Sequence, residues 1–267
     1  MKTVVSRENP VYKTLRAQAA RAGRAGEPAV LEGPHLCQAW LQHGGLPAMA
    51  VFDAERLDEP VLAGLADAVR AAACVALPSR LLAGLETVPA SQGVLFVVQP
   101  PAPVLPARLQ ENCVWLDRIQ DPGNVGTLLR TCAAAGVRRV LLSEGCAAAW
   151  SPKVLRSGQG AHFALQLHEQ VDLRAAVARL AVPLAATALA QAQDLYQAAL
   201  PPACAWVFGH EGQGVDPALL QAATLRLRIP HDSAAVESLN VAAAAAVCLF
   251  EQRRRQLARG PAPAPRP

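Results

Sequence analysis

Between residues 114 and 229 the chain repeats one pattern: a short apolar run, a polar or glycine-bearing loop, a helix-like stretch, then the next apolar run. Residues 114–117, 139–142, 163–167, 183–189, 205–208 and 225–229 all read as strands. Strands this apolar, with helical stretches between most of them, predict βα units and buried parallel pairing. The expected fold class is therefore α/β with a mostly parallel sheet. Before this region the texture is less regular, with helix-like pieces at 11–24 and 34–41 and a strand at 94–98. Pro100, Pro101, Pro103 and Pro106 exclude helix and central strand between the two regions. The expected organisation is a first domain over 1–98, a Pro-rich linker over 99–111, a second domain over 112–257 and a disordered Pro/Ala tail over 258–267.

Composition excludes several classes. With 52% hydrophobic and 17% charged residues the chain is a folder, not a disordered polymer. Its longest uninterrupted apolar run, 241–250, falls well short of the roughly 20 residues that span a membrane. The opening MKTVVSRENP lacks the apolar core of a signal peptide, so a cytoplasmic protein is expected. Seven scattered cysteines form no C-x-x-C pair and six histidines form no H-x-x-x-H pair. Neither a disulfide framework nor a metal site is expected, and the thiols read as reduced core residues. Charge is uneven. Residues 1–30 carry six Lys/Arg against two acids, and residues 250–267 five Arg against one Glu, while the body between is slightly acidic. Both ends can therefore neutralise phosphates, or serve simply as solvated faces.

Three loops gather residues able to do chemistry. In DRIQDPGNVGTLLRTCAAAG (117–136) a strand ends, a Pro-Gly turn follows and a helix opens near Asn124, which reads as its cap. Arg130 lies six residues on, a planar fork of donors suited to an anionic group. In CAWVFGHEGQGVD (204–216) a strand runs into Gly209, Glu211, Gly212 and Gly214, where missing side chains let a flat ligand meet backbone. A strand, glycines, a helix and Asp232 further on imitate a dinucleotide fingerprint, but the order is G-x-x-G-x-G, not G-x-G-x-x-G. In IPHDSAAVESLNVAAAAAV (229–247) Ser238 and Asn240 stand at the start of an alanine-rich helix, twice the capping that one helix needs.

Taken together and in order, DPGNVGTLLR, GHEGQG and IP…SLNVA resemble the three signature motifs of the SpoU (TrmH) branch of the SPOUT RNA methyltransferases. SRENPVYKTLR and AVLEGPHL more loosely resemble that family's N-terminal RNA-binding domain. The resemblance implies an α/β domain whose C-terminal part is tucked through a loop as a trefoil knot, an exception to the usual rule against threading. It implies S-adenosylmethionine held against Gly209, Gly214, Ile229, Pro230, Leu239 and Asn240. It also implies methyl transfer to a ribose 2′-hydroxyl of structured RNA, with ribosomal RNA favoured over transfer RNA, and a homodimer that completes the site. The motif residues carry catalytic roles by the same resemblance: Arg130 beside the reacting oxygen, with Asn124, Glu211, Ser238 and Asn240 positioning it and the ligands. Because a guanidinium stays protonated, Arg130 is expected to stabilise charge rather than to accept a proton. A non-catalytic RNA-binding or assembly protein on the same fold is the alternative. His231, Asp232 and Cys132 depart from the family's usual residues.

Overall fold

The computed structural model describes residues 1–24, 26–87 and 92–258, arranged as two compact units. Residues 1–101 and 148–164 form the first; residues 102–147 and those from 165 onward form the second. In chain order the strands are β1 (Lys2–Thr3), β2 (Ala29–Glu32), β3 (Met49–Asp53), β4 (Ala73–Leu77), β5 (Val94–Val98), β6 (Cys113–Asp117), β7 (Arg139–Leu142), β8 (Gln166–His168), β9 (Leu184–Thr187), β10 (Gln193–Asp194), β11 (Ala205–Gly209) and β12 (Leu225–Arg228). The α-helices are α1 (Pro10–Arg21), α2 (Pro34–His43), α3 (Pro60–Ala68), α4 (Ser79–Leu82), α5 (Pro122–Ala135), α6 (Pro152–Gly158), α7 (Leu173–Ala176), α8 (Pro217–Ala222) and α9 (Val241–Ala258).

The first unit holds a five-stranded mixed sheet in the order β1-β4-β3-β5-β2. Its hydrophobic centre joins Tyr12 and Leu15 of α1 to Val30, Val51, Val75 and Leu95 of the sheet. Segment 148–164, within the stretch of sequence that reads as the second domain, packs here. Trp40 meets Phe163 edge-on at 5.7 Å, and Trp150 lies 6.2 Å from Phe163. That clustering also explains a difference from the sequence reading. Residues 161–164 form a 3-10 turn, and the strand is confined to Gln166–His168. His162 is buried there, with Nε2 against the Ala149 carbonyl at 2.7 Å; burial pushes its pKa down to about 4, against that contact.

The second unit carries a seven-stranded sheet, β10-β12-β9-β11-β6-β7-β8, in which every pairing is parallel. From β6 the chain moves outward through β7 to β8, then crosses to β9 on the other side. Parallel strands place all their C-terminal ends on one edge, and ligands favour that edge where the winding direction reverses. The loops after β6, β11 and β12 all leave from it. Residues 99–108 contain no helix, and Leu109 is fully buried, bridging to Leu180. The expected tail lies outside the described residues, apart from Ala258 at the end of α9.

Helix α9 packs on α5 with Ala242, Ala245, Cys248 and Leu249 inward, and the alanines let the two backbones come close. A polar bolt ties it to the sheet. Trp206 Nε1 donates to Gln252 Oε1 at 2.8 Å, and Gln252 Nε2 donates to Asn112 Oδ1 at 3.1 Å. Three arginines of the basic segment make bonds within the fold. Arg253 donates to the Ala135 carbonyl at the end of α5, and Arg255 reaches the carbonyls of Leu195, Tyr196 and Ala198. Glu251 receives both Arg254 and Arg255. The Arg254 guanidinium, opposed by burial and joined by Arg255, holds the Glu251 carboxyl down at about 2, against an ordinary 4.5. A depressed carboxyl contributes stability that is complete above its ordinary pKa and is lost as pH falls through the folded value. Glu251→Gln is therefore expected to lower the melting temperature at pH 6, with the gap to wild type narrowing between about pH 4.5 and 2. Thermal melts across that range check it; a constant gap would be evidence against the ion pair as its source.

Candidate active site

The loop after β6 begins with Arg118 in the left-handed region, φ 56°. For a residue with a Cβ this costs about 1–2 kcal/mol. It also breaks the alternation of side chains along the strand, so consecutive residues face each other. Arg118 Nε and Nη2 donate to the two carboxylate oxygens of Asp117, at 2.9 and 3.0 Å. Helix α5 then starts at Pro122, not near Asn124. Asp121 is the cap, its Oδ1 accepting from Asn124 N–H at 2.8 Å. Asp-Pro at the cap and first helical positions is the sequence signal that locates this start. With Asp121 as cap, the Asn124 side chain is released for other work. Its Nδ2 donates to Glu211 Oε1 at 3.0 Å, and its Oδ1 accepts from Asn240 Nδ2 at 3.0 Å.

These bonds join the three sequence segments in one line, Glu211–Asn124–Asn240. Glu211 also faces the N–H groups of Gln120 and Asp121, at 3.5 and 3.4 Å, which are long contacts. Burial raises the Glu211 carboxyl, but the Asn124 amide and the surrounding backbone N–H groups outweigh it and hold the pKa below its ordinary value. Glu211 is thus an anion at neutral pH, engaged in holding the loop after β6.

The glycines after β11 serve two purposes. A Cβ on Gly209 would lie 2.2 Å from both Gly214 C and Val215 N, so the chain folds back directly onto this residue. Gly214, at φ 69°, has open space where a Cβ would stand. Bare backbone therefore faces outward at 214, a cradle fit for a flat group; at 209 it is covered by the turn itself. His210 Nδ1 accepts from the N–H groups of Gly212 (2.9 Å) and Gln213 (3.2 Å), so that nitrogen carries no proton.

After β12, Ile229 and Leu239 are half-buried, and Pro230 and Ser238 are exposed. His231 is half-buried too, with Nδ1 2.8 Å from the Ile229 carbonyl and Nε2 3.3 Å from that of Glu237, which folds the loop on itself. Of the two expected caps only Asn240 works as one, its Oδ1 accepting from Ala242 and Ala243 N–H at 2.9 and 3.2 Å. Ser238 makes no hydrogen bond with the described residues. Arg130 is likewise exposed and without a hydrogen bond or ion pair there. It stands on the outer stripe of α5 with Gly123, Thr127 and Ala134, about 9 Å along the helix axis from Asn124. The structure thus brings Asn124, Glu211 and Asn240 together by direct bonds, and leaves Arg130 and Ser238 free to meet something else.

Asn240 has two jobs, which substitution separates. Asn240→Ala is expected to lower stability by about 1 kcal/mol, the usual worth of a cap. Asn240→Asp keeps the cap acceptor and loses the donor to Asn124, so its loss should be clearly smaller. Urea titrations of both variants decide; equal losses would show that the bond to Asn124 outweighs the cap.

Known proteins resemble this chain in sequence and in fold. The sequence profile of the SpoU rRNA Methylase family matches residues 111–250. An uncharacterized tRNA/rRNA methyltransferase of Synechocystis sp. is 34% identical, covering 96% of this chain and 95% of its own. The 23S rRNA (guanosine(2553)-2′-O)-methyltransferase RlmP of Bacillus subtilis is 31% identical over 95% of this chain and 100% of its own. Among solved structures, the AdoMet-bound rRNA methyltransferase of Sinorhizobium meliloti superposes with a TM-score of 0.77 at 26% identity, over 95% of this chain and 98% of its own.

Proposed function

We infer the chemistry of this site from one premise: the chain belongs to the SpoU rRNA Methylase family. It is an S-adenosylmethionine-dependent methyltransferase acting on a ribose 2′-hydroxyl of RNA, with ribosomal RNA as the substrate class. The observation that carries this reading is the hydrogen-bonded line Glu211–Asn124–Asn240 at the carboxyl edge of β6 and β11. It assembles three loops into one site beside bare backbone at Gly214.

S-adenosylmethionine supplies, when bound, an activated methyl group on a positively charged sulfur. Gly209 shapes the turn that would hold it, and Gly214, Ile229, Pro230, Leu239 and Asn240 would line its place. Arg130 would meet the RNA, its guanidinium holding a phosphate and stabilising negative charge as the 2′-oxygen loses its proton. Glu211 is a positioning group and not the base, because its oxygens already receive Asn124 and the loop N–H groups. Ser238 is free to donate or accept toward a ligand. Residues 1–98 would bind RNA, and the C-terminal part of the second unit would be tucked through a loop as a trefoil knot. A homodimer is supported by two apolar side chains on the outer face of α9, Phe250 and Leu257, 46% and 71% exposed on either side of Arg254. No described helix is long and apolar enough to cross a membrane.

Labelled methyl transfer to separated ribosomal and transfer RNA, followed by mapping of the protected ribose, tests this. Label in ribosomal RNA at one 2′-oxygen is the expected result. Label only in transfer RNA would overturn the substrate class. Cofactor binding with no transfer to either RNA would favour a non-catalytic binder, and tight NAD binding alone would refute the family chemistry for this chain.

A further inference from the structure

The turn after β11 is fastened to the end of β6 at three points. Glu211 holds one end, through Asn124 and the loop N–H groups. Asp117 Oδ2 holds the other, accepting from Asp216 N–H at 2.7 Å. Arg118 grips the middle: Nη1 donates to Gln213 Oε1 at 2.8 Å, and Nη2 reaches the Gly214 carbonyl at 3.4 Å. The same guanidinium is locked on Asp117 by two bonds, and Arg118 N–H donates to Ser143 Oγ at 2.9 Å. The backbone that allows this is left-handed, a conformation that side chains other than glycine adopt rarely. Such a conformation persists where surrounding contacts over-determine it, and it accompanies functional sites. At the end of β6 the guanidinium also neutralises the buried Asp117 carboxylate. Among the described residues, the hydrogen bonds of its side chain beyond Asp117 go to Gln213 and to Gly214, whose bare backbone forms the proposed cofactor cradle.

We propose that Arg118 is a positioning residue for the S-adenosylmethionine site, holding the 212–214 turn in its binding shape before the cofactor arrives. The proposal rests on the reading of this site as a cofactor pocket. It differs from the roles of the motif residues, since Arg118 acts on the cofactor through Gln213 and Gly214. Preorganisation of this kind shows as affinity, because an unfastened turn must be ordered on binding.

Arg118→Gly is the first variant, because glycine takes the left-handed backbone freely, so that the loss is confined to the side chain and its bonds to Asp117, Gln213 and Gly214. Gln213→Ala is the second; this exposed residue gives up the partner of Nη1 and leaves the ion pair with Asp117 intact. Titration calorimetry with S-adenosylmethionine on the full chain is expected to show binding weakened about tenfold by Arg118→Gly and about threefold by Gln213→Ala. The double variant should be no weaker than Arg118→Gly alone, since both substitutions break the same bond. With ribosomal RNA as acceptor, KM for S-adenosylmethionine should rise with the same ratios while kcat falls much less; a fault in overall packing would not divide in that way. Affinity within twofold of wild type for Arg118→Gly, or fully additive losses in the double variant, would overturn the proposal. Wild-type protein that fails to bind S-adenosylmethionine overturns instead the functional reading beneath it.

Discussion

Arg130→Ala is expected to cut methyl transfer by at least 10²- to 10³-fold while leaving S-adenosylmethionine affinity within about twofold of wild type. The argument is positional. Arg130 has no bond to Asn124, Glu211 or Asn240 and stands exposed on the outer stripe of α5, so its removal disturbs neither the turn nor the helix. An exposed arginine without a partner contributes little to stability, and substitutions of such residues ordinarily stay within about 0.5 kcal/mol. What it can contribute is charge stabilisation at the moment the 2′-oxygen becomes negative, an effect confined to the transition state. Arg130→Lys keeps the charge but not the planar fork, so it should recover only a small part of the rate. Single-turnover transfer and calorimetry on the same preparations make the comparison. Parallel losses of binding and transfer would contradict this division of labour.

Gly209→Ala is the second large effect, and it should act on the turn itself. A methyl group here would stand 2.2 Å from Gly214 C and Val215 N, which are backbone atoms and cannot rotate away. Either β11 shifts at its end or the turn lifts off, and overpacking of this kind costs roughly 1–3 kcal/mol or more. Lifting the turn also strips Glu211 from Asn124 and Gln213 from Arg118, so S-adenosylmethionine binding should fall by on the order of 100-fold. Gly212→Ala is the control, because its nearest neighbour would be the His210 ring at 3.7 Å, an ordinary contact. Thermal melts and calorimetry should place Gly209→Ala far below Gly212→Ala in both stability and affinity. Similar behaviour of the two would mean that the close approach at 209 relaxes at little cost.

Much of this was legible in the residues. Apolar runs at 114–117, 139–142 and 205–208 became β6, β7 and β11 nearly to the residue, because each is buried on both faces and carries its own turn signals. The three motifs, taken in order, resembled those of one family, and the family profile over 111–250 bears that resemblance out. Harder to read were choices between local rules that the sequence leaves balanced. Asp121 and Asn124 are both good caps three residues apart, and Pro122 decides between them only once the strand end is placed. Ser238 and Asn240 are likewise both good caps, and the one that works is the one bonded to Asn124, 116 residues earlier. Residues 163–167 alternate like a strand, yet Phe163 is drawn into a turn by Trp40 and Trp150.

The amino-acid sequence alone determined the α/β class, the positions of most second-unit strands and the three loops that carry the chemistry. These follow from short-range physics: burial periodicity, turn residues and helix caps act within about ten residues. Only the tertiary structure decided which motif residues touch, that Gly209 is needed for the chain's own fold and Gly214 for open backbone, and that Arg118 clamps a turn 95 residues away. Those outcomes depend on which strands become neighbours, and pairing β6 with β11 is a contact across some 90 residues that no local pattern encodes.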